Sequence, residues 1–161
     1  MVIILMGVTG SGKSTVGEQL AHDLDWPYHD ADDFHPEANV QKMASGTPLT
    51  DDDRWPWLKT MAAEIGRWLV RDNGVILGCS ALKQSYRDVL IGGREGVHIV
   101  HLCGTKDLIA ARLATRVHRY MPATLLDSQF ETLEEPRDAL SVDIAPEPAA
   151  IAMSIRSALG L

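Results

Sequence analysis

Five consecutive apolar residues, Val2-Ile3-Ile4-Leu5-Met6, open the pattern. Apolar side chains at every position, without alternation, predict a strand covered on both faces. Three glycines follow within residues 7–12, which reads as a loop. From Lys13 the period changes: Val16, Leu20 and Leu24 stand four apart, as on one face of a helix. Trp26-Pro27 ends that helix, and Tyr28-His29 begins a short extended piece running into Asp30. Pro36, Gly46 and Pro48 surround a short helical stretch at 38–44. Thr50-Asp51-Asp52-Asp53 supplies a capping side chain and the negative charge that a helix N-terminus favours. A start near Asp53 would leave Pro56 in the first turn, where a missing N–H costs nothing. That helix is expected to reach about Arg71, with Leu58, Met61, Ala62, Ile65 and Leu69 inward, and Asn73-Gly74 stops it.

Further along, Val75-Ile76-Leu77 reads as a buried strand, 86–91 as a helix and 97–102 as a strand. Residues 106–116 and 125–133 read as helices, 141–144 as a last short strand and 149–159 as a terminal helix. Buried strands alternating with helices, without hairpin turns, argue for a parallel α/β sheet. No repeat and no long linker divides the chain, so residues 1–161 are read as one domain.

Composition narrows the class. The 161 residues are 45% hydrophobic and 23% charged, enough apolar material for a core and too much for disorder. The formal net charge is −7, which argues against a nucleic-acid partner. The first 80 residues hold 6 basic and 12 acidic side chains, so an anionic ligand must be met by local clusters. Cys79 and Cys103 lack metal-ligand spacing and read as reduced thiols. The opening apolar run is too short for a signal peptide, and no stretch approaches the ~20 apolar residues of a membrane span. The expectation is a cytoplasmic protein without a membrane partner. A homodimer is compatible with the pattern.

Gly7-Val8-Thr9-Gly10-Ser11-Gly12-Lys13-Ser14 matches G-x-x-x-x-G-K-S/T between a buried strand and an amphipathic helix. Glycines let successive N–H groups turn inward around phosphate oxygens, and the helix N-terminus adds partial positive charge. Lys13 can reach the β- and γ-phosphates of ATP, and Ser14 can ligate Mg²⁺. Thr15 follows within the same site. A GTPase is disfavoured, because neither an Asn-Lys-x-Asp motif nor an Asp-x-x-Gly switch after a strand is present. A motor or remodelling ATPase is disfavoured too: the strand at 75–77 runs into Gly78-Cys79-Ser80 rather than a carboxylate. Small-molecule and nucleotide kinases remain.

On the acceptor side, Asp30 and Asp32 follow the second strand, whose C-terminal end faces the ligand crevice of a parallel sheet. Such carboxylates can hold a metal-bound water and accept a proton from an alcohol. Asp33 reads as a bystander. Arg54 suits bidentate contact with a substrate carboxylate. Ser80 could line a pocket, and Lys83 and Arg87, four apart, would project from one helical face. Arg112, Arg116 and Arg119 recur at spacings of four and three. Such a stripe would close over the nucleotide as a lid, at about residues 112–122.

Several blocks together resemble the gluconokinase family. They are the phosphate loop, Asp30-Ala31-Asp32-Asp33-Phe34-His35-Pro36, Asn39, Lys42-Met43-Ala44-Ser45-Gly46, Pro48 to Arg54, Pro56-Trp57-Leu58, Cys79 to Lys83, Tyr86-Arg87, Ser128-Gln129-Phe130 and Leu133-Glu134. The resemblance spans residues 2–144. It implies ATP-dependent phosphorylation of D-gluconate at the 6-hydroxyl. It also implies a P-loop, nucleoside-monophosphate-kinase-like fold: a five-stranded parallel sheet flanked by helices, with a lid. By similarity to the related shikimate kinases, Asp30 would support the magnesium shell through water. Asp32 would bind the acceptor hydroxyl and is the candidate to deprotonate it. Arg54 would hold the carboxylate and Arg116 would be the catalytic lid arginine. The same blocks make His35, Lys42, Ser80, Lys83 and Arg87 substrate-binding candidates, and the arginine stripe makes Arg112 an ATP-binding one. The family often reads Arg-Lys-Gly-His-Phe in the lid, whereas this chain reads Arg116-Val117-His118-Arg119-Tyr120, so no role passes to His118. A kinase of another small hydroxy acid, such as shikimate, or of a mononucleotide is the competing enzyme reading. A nucleotide-binding regulatory module would have lost the acceptor groups, which are present.

Overall fold

The computed structural model describes residues 1–71, 73–115 and 123–161. In chain order the elements are β1 (Val2–Met6), α1 (Lys13–Leu24), β2 (Tyr28–Asp30), a 3-10 turn (Ala31–Phe34), α2 (Glu37–Ala44) and α3 (Asp51–Val70). There follow β3 (Val75–Gly78), α4 (Gln84–Ile91), β4 (Val97–Cys103), α5 (Lys106–Ala114), α6 (Ala123–Thr132), β5 (Leu140–Asp143) and α7 (Pro148–Leu159). The five strands form one sheet in the order β2-β3-β1-β4-β5. Every pairing is parallel, as the unbroken apolar strands require.

The order reverses around β1, which lies between β3 and β4. Ligands of open α/β sheets bind outside the carboxyl ends of the strands at such a switch point, and β1 ends where the glycine-rich loop begins. All five β1 side chains are fully buried, each worth ~1.5–3 kcal/mol relative to exposure. Because side chains alternate across a strand, Val2, Ile4 and Met6 pack toward Leu58, Met61, Ile65 and Trp68 of α3 and Leu90 of α4. Ile3 and Leu5 pack on the other face, with Val16 and Leu20 of α1 and Ile151 and Ile155 of α7. The phosphate loop therefore leaves a strand immobilised on both faces.

Helix α3 begins at Asp51, not near Asp53, behind a capping box. Thr50 accepts from the Asp53 N–H, and the Asp53 carboxylate accepts from the Thr50 N–H. Pro56 consequently lies beyond the first turn. The carbonyl it deprives belongs to Asp52; both residues are on the exposed side of the helix, where water can satisfy that group. Helix α5 stops at Ala114, capped by Thr115, two residues short of the expected 116. Among the described residues, no helix is long and apolar enough to cross a membrane.

Candidate active site

The loop between β1 and α1 is wound around its glycines. Gly12, the N-cap of α1, has φ 93°, and Gly10 has φ 77°, conformations that L side chains avoid. A Cβ on Gly10 would also lie 2.8 Å from the Leu113 side chain, so α5 packs directly against the loop. Val8 is buried under it, while Ser14 and Thr15 stay exposed at the mouth of α1. The Lys13 ammonium donates to the carbonyls of Gly7 at 2.9 Å and Val8 at 3.0 Å. It thus lies over the loop, beside the N–H groups that would receive phosphate oxygens. The Thr9 N–H instead donates to Gln129 Oε1 at 2.6 Å, which ties α6 to the loop.

The turn after β2 carries the acidic groups. Asp30 caps the 3-10 turn, accepting from the Asp32 N–H at 2.9 Å. Two residues before Asp30, Tyr28 reaches back under α1, and its hydroxyl lies 3.5 Å from Ser14 Oγ. Its ring fits only because residues 17 and 78 are glycines: a Cβ on either would come within 2.3 or 2.4 Å of Tyr28. Asp32 is 77% exposed, yet the protein packed around its turn strips part of its hydration. That desolvation, reinforced by the charge of Asp30, raises its pKa above the ordinary carboxylate value, against the opposing pull of His35 and Lys13. His35 lies under this turn, stacked on Trp57 with ring centroids 4.2 Å apart. The Trp57 indole N–H in turn donates to the Ala31 carbonyl at 2.7 Å, so α3 holds the turn in place.

A second charged cluster forms where the N-terminus of α3 meets the loop after β3. Asp51 accepts from Lys83 Nζ at 3.1 and 3.3 Å and from the Tyr86 hydroxyl, and lies 3.6 Å from Arg54 Nη1. Arg54 and Lys83 both stand over the Tyr86 ring, 5.9 and 5.5 Å from its centroid. Hydrogen bonds from Tyr86 and Lys83 hold the Asp51 carboxyl below the usual carboxylate range. A carboxylate already sits between the two cations expected to recognise one. The other end of this loop touches the phosphate site: the Gly7 N–H donates to the Ser80 carbonyl at 3.3 Å.

Several expected roles change. Arg87 and Lys83 do not share a face: Lys83 is the N-cap of α4, and Arg87 is only 1% exposed. The Arg87 guanidinium donates to the carbonyls of Ala81, Leu82 and Glu134 and to the Gln84 side chain. It therefore shapes the loop from beneath, at the point where Ala81 takes a left-handed φ of 44°. Lys42 is engaged by both oxygens of Asp53 at 2.9 Å, which fastens α2 to the cap of α3. That pair, with the Thr50 N–H, holds the Asp53 carboxyl at about 2. His35 has both ring nitrogens facing protein groups. Arg112 donates to the Ala145 carbonyl at 3.4 Å. Arg116, His118, Arg119 and the remainder of the expected lid through residue 122 lie outside the described residues. Asp51, Tyr86, Asn39 and Gln129, which stand in the resemblance blocks without an assigned role, acquire contacts here that sequence reasoning did not assign them.

Among the described residues, no three His, Cys, Asp or Glu side chains converge as a metal cage. Mg²⁺ needs none: it favours hard oxygen donors, keeps several waters and shares the phosphates of its nucleotide. The Ser14 hydroxyl, linked through Tyr28 to the strand that ends in Asp30, is a donor set that fits it.

Comparison with known proteins agrees with this geometry. The family model described as shikimate kinase matches residues 9–147. The chain is 46% identical over 152 residues to a probable gluconokinase of Mus musculus, covering 84% of this chain and 83% of the mouse protein. It is 44% identical over 148 residues to the thermoresistant gluconokinase of Escherichia coli strain K12, covering 89% and 84%. The crystal structure of a gluconokinase from Sinorhizobium meliloti 1021 superposes with a TM-score of 0.85 at 44% identity, over 99% of this chain and 91% of that one. With a phosphate loop at the switch point of a parallel sheet, and with gluconokinase relatives matched over most of their length, the chain belongs to the gluconokinase family.

Proposed function

We propose that the chain transfers the γ-phosphoryl group of ATP to the 6-hydroxyl of D-gluconate. The observation that carries this reading is the loop after β3. At Ser80 it touches the phosphate loop, and three residues later, at Lys83, it enters the cluster with Asp51, Arg54 and Tyr86. Three extended residues reach at most ~11 Å, a span suited to an open-chain acid with its carboxylate at one end and its primary hydroxyl at the other. The loop N–H groups and Lys13 would bind the β- and γ-phosphates, and Asp32 would take the proton of the attacking hydroxyl. Arg54 and Lys83 would hold the carboxylate and so fix the hydroxyl in line. Ser14 directly, and Asp30 through water, would hold Mg²⁺, which supplies charge neutralisation on the β- and γ-oxygens when bound. Arg112 and Arg116 remain the arginines proposed to meet the nucleotide.

A mononucleotide acceptor fits less well. Its phosphate calls for several arginines, whereas residues 34–58 offer only Lys42 and Arg54, which suits a single carboxylate better. The unpaired thiols of Cys79 and Cys103 support a cytoplasmic setting.

The test is coupled ADP release with ATP and a panel of gluconate, shikimate, glucose and mononucleotides, with Lys13→Ala as the inactive reference. Gluconate should be the preferred acceptor, and excess chelator should stop turnover. Phosphorylation of neutral glucose as efficient as that of gluconate would overturn the reading, as would a Lys13→Ala variant of near-normal rate.

A further inference from the structure

His35 is among the most constrained side chains of the cleft. Its side chain is 3% exposed, and the parallel Trp57 ring prevents it from tipping. Its Nδ1 lies 3.2 Å from Asn39 Nδ2. Its Nε2 faces Asp32 Oδ1 at 3.6 Å. Asn39 is itself 3% exposed, and a third partner fixes the orientation of its amide. The same Nδ2 donates to the backbone carbonyl of Asp53 at 2.9 Å. A carbonyl oxygen only accepts, so the Asn39 atom facing it must be the nitrogen. The second N–H of that nitrogen is left for His35, whose Nδ1 must then be the unprotonated acceptor. A neutral imidazole with a bare Nδ1 carries its proton on Nε2, the nitrogen that faces Asp32. Burial favours the neutral ring, which the Arg54 charge also supports, while Asp32 works the other way.

We propose that Asn39 and His35 form a positioning relay for Asp32. Asn39 locks His35 in the Nε2–H tautomer, and that N–H holds Asp32 Oδ1 so that the other carboxylate oxygen is presented to the acceptor hydroxyl. The relay deepens the reading of Asp32 as proton acceptor and rests on it. The 3.6 Å separation is about 0.5 Å beyond a good N–H···O contact, and catalytic contacts of this kind tighten once substrate fills a cleft. Both ring nitrogens are committed to protein groups, so His35 acts through Asp32 and does not itself bind the acid. The turn and α3 make the relay rigid: the Asn39 acceptor is the carbonyl of Asp53, inside the α3 capping box, and Trp57 on α3 supports the ring.

Two substitutions of His35 separate the two nitrogens. His35→Gln places an amide N–H where Nε2 stood, while His35→Asn reaches only the Nδ1 position. His35→Gln should keep kcat within about threefold, whereas His35→Asn should lose roughly ten- to a hundredfold in kcat, the scale of a misplaced catalytic group. The KM values for ATP and for gluconate should stay near wild type in both. Nitrogen-15 NMR of the histidine-labelled full chain should show a bare, pyridine-type Nδ1 and a protonated Nε2 for His35. Equal kcat losses in the two variants would overturn the relay, as would a rise in gluconate KM as the main effect or a wild-type His35 proton on Nδ1. Asp32→Asn, measured alongside, separates the two levels. If it keeps wild-type kcat, the proton-acceptor reading fails and the relay with it. If it loses kcat while His35→Gln and His35→Asn behave alike, the relay alone fails.

Discussion

Replacing Arg54 by alanine should raise the KM for gluconate and leave that for ATP nearly unchanged. The guanidinium, proposed to meet the acid, lies 3.6 Å from the Asp51 carboxylate and 5.9 Å from the centroid of the Tyr86 ring. A charge-assisted hydrogen bond to a carboxylate contributes ~1.5–3 kcal/mol. Two features place Arg54 in the lower half of that range. Its side chain remains 32% exposed, so water screens part of the attraction. Lys83, 5.5 Å from the same ring centroid, stays to take part of the substrate charge. A loss of ~1.5–2 kcal/mol corresponds to a roughly ten- to thirtyfold rise in KM. The phosphate loop and Lys13 are untouched, so nucleotide affinity has no reason to move. Initial rates of ADP release with gluconate and ATP varied independently give both constants. If both KM values rise together, or if gluconate KM changes less than twofold, Arg54 does not hold the acid.

Arg87→Met should lower the melting temperature by roughly 6–12 °C in differential scanning fluorimetry. It strands the buried carbonyl of Ala81 and removes the Arg87 bonds to Leu82, which keeps the Glu134 N–H, to Glu134 and to the Gln84 side chain, at a combined cost of ~3 kcal/mol; an unchanged midpoint would show the guanidinium to be dispensable. Gln129→Leu should raise the KM for ATP several-fold with little effect on gluconate KM, because the Thr9 N–H loses its acceptor on α6; unchanged ATP kinetics would remove that contact from the site. The pH dependence of stability should carry the signature of Asp53, whose folded pKa is about 2 against an ordinary 3.8. The unfolded chain takes up that proton first, so the stabilisation is complete above the ordinary value and is lost as pH falls toward about 2. Asp53→Asn should flatten the decline of melting temperature across that window, with a residual slope from Asp51, whose pKa is also depressed; an unaltered slope would count against the Lys42 clasp.

The architecture was legible because it rests on local chemistry. A five-residue apolar run such as Val2–Met6, bounded by a glycine-rich loop, reads as a strand covered on both sides, and a glycine-rich turn feeding an amphipathic helix reads as an anion-binding loop. The alternation of such units set the parallel sheet. The same locality placed Lys13, Ser14, Asp30 and Asp32 at strand ends that face one crevice. What spacing could not supply was which side chains turn outward once helices pack. Lys83 and Arg87 look like one basic face on a helical wheel, yet α4 begins only at Gln84, and Arg87 turns back to satisfy carbonyls of a strained loop. Lys42 looks like a free cation until α2 meets the α3 cap. Asn39, His35 and Asp32 are near neighbours in the chain, but Asp53 and Trp57, which hold Asn39 and the His35 ring, reach them only through tertiary packing. The chain by itself determined the strands, the phosphate loop and the chemical types available to the site. Packing between elements distant in sequence decided which charges face substrate and which hold the scaffold, because a polar group's role depends on its nearest partner, and that partner is seldom a neighbour along the chain.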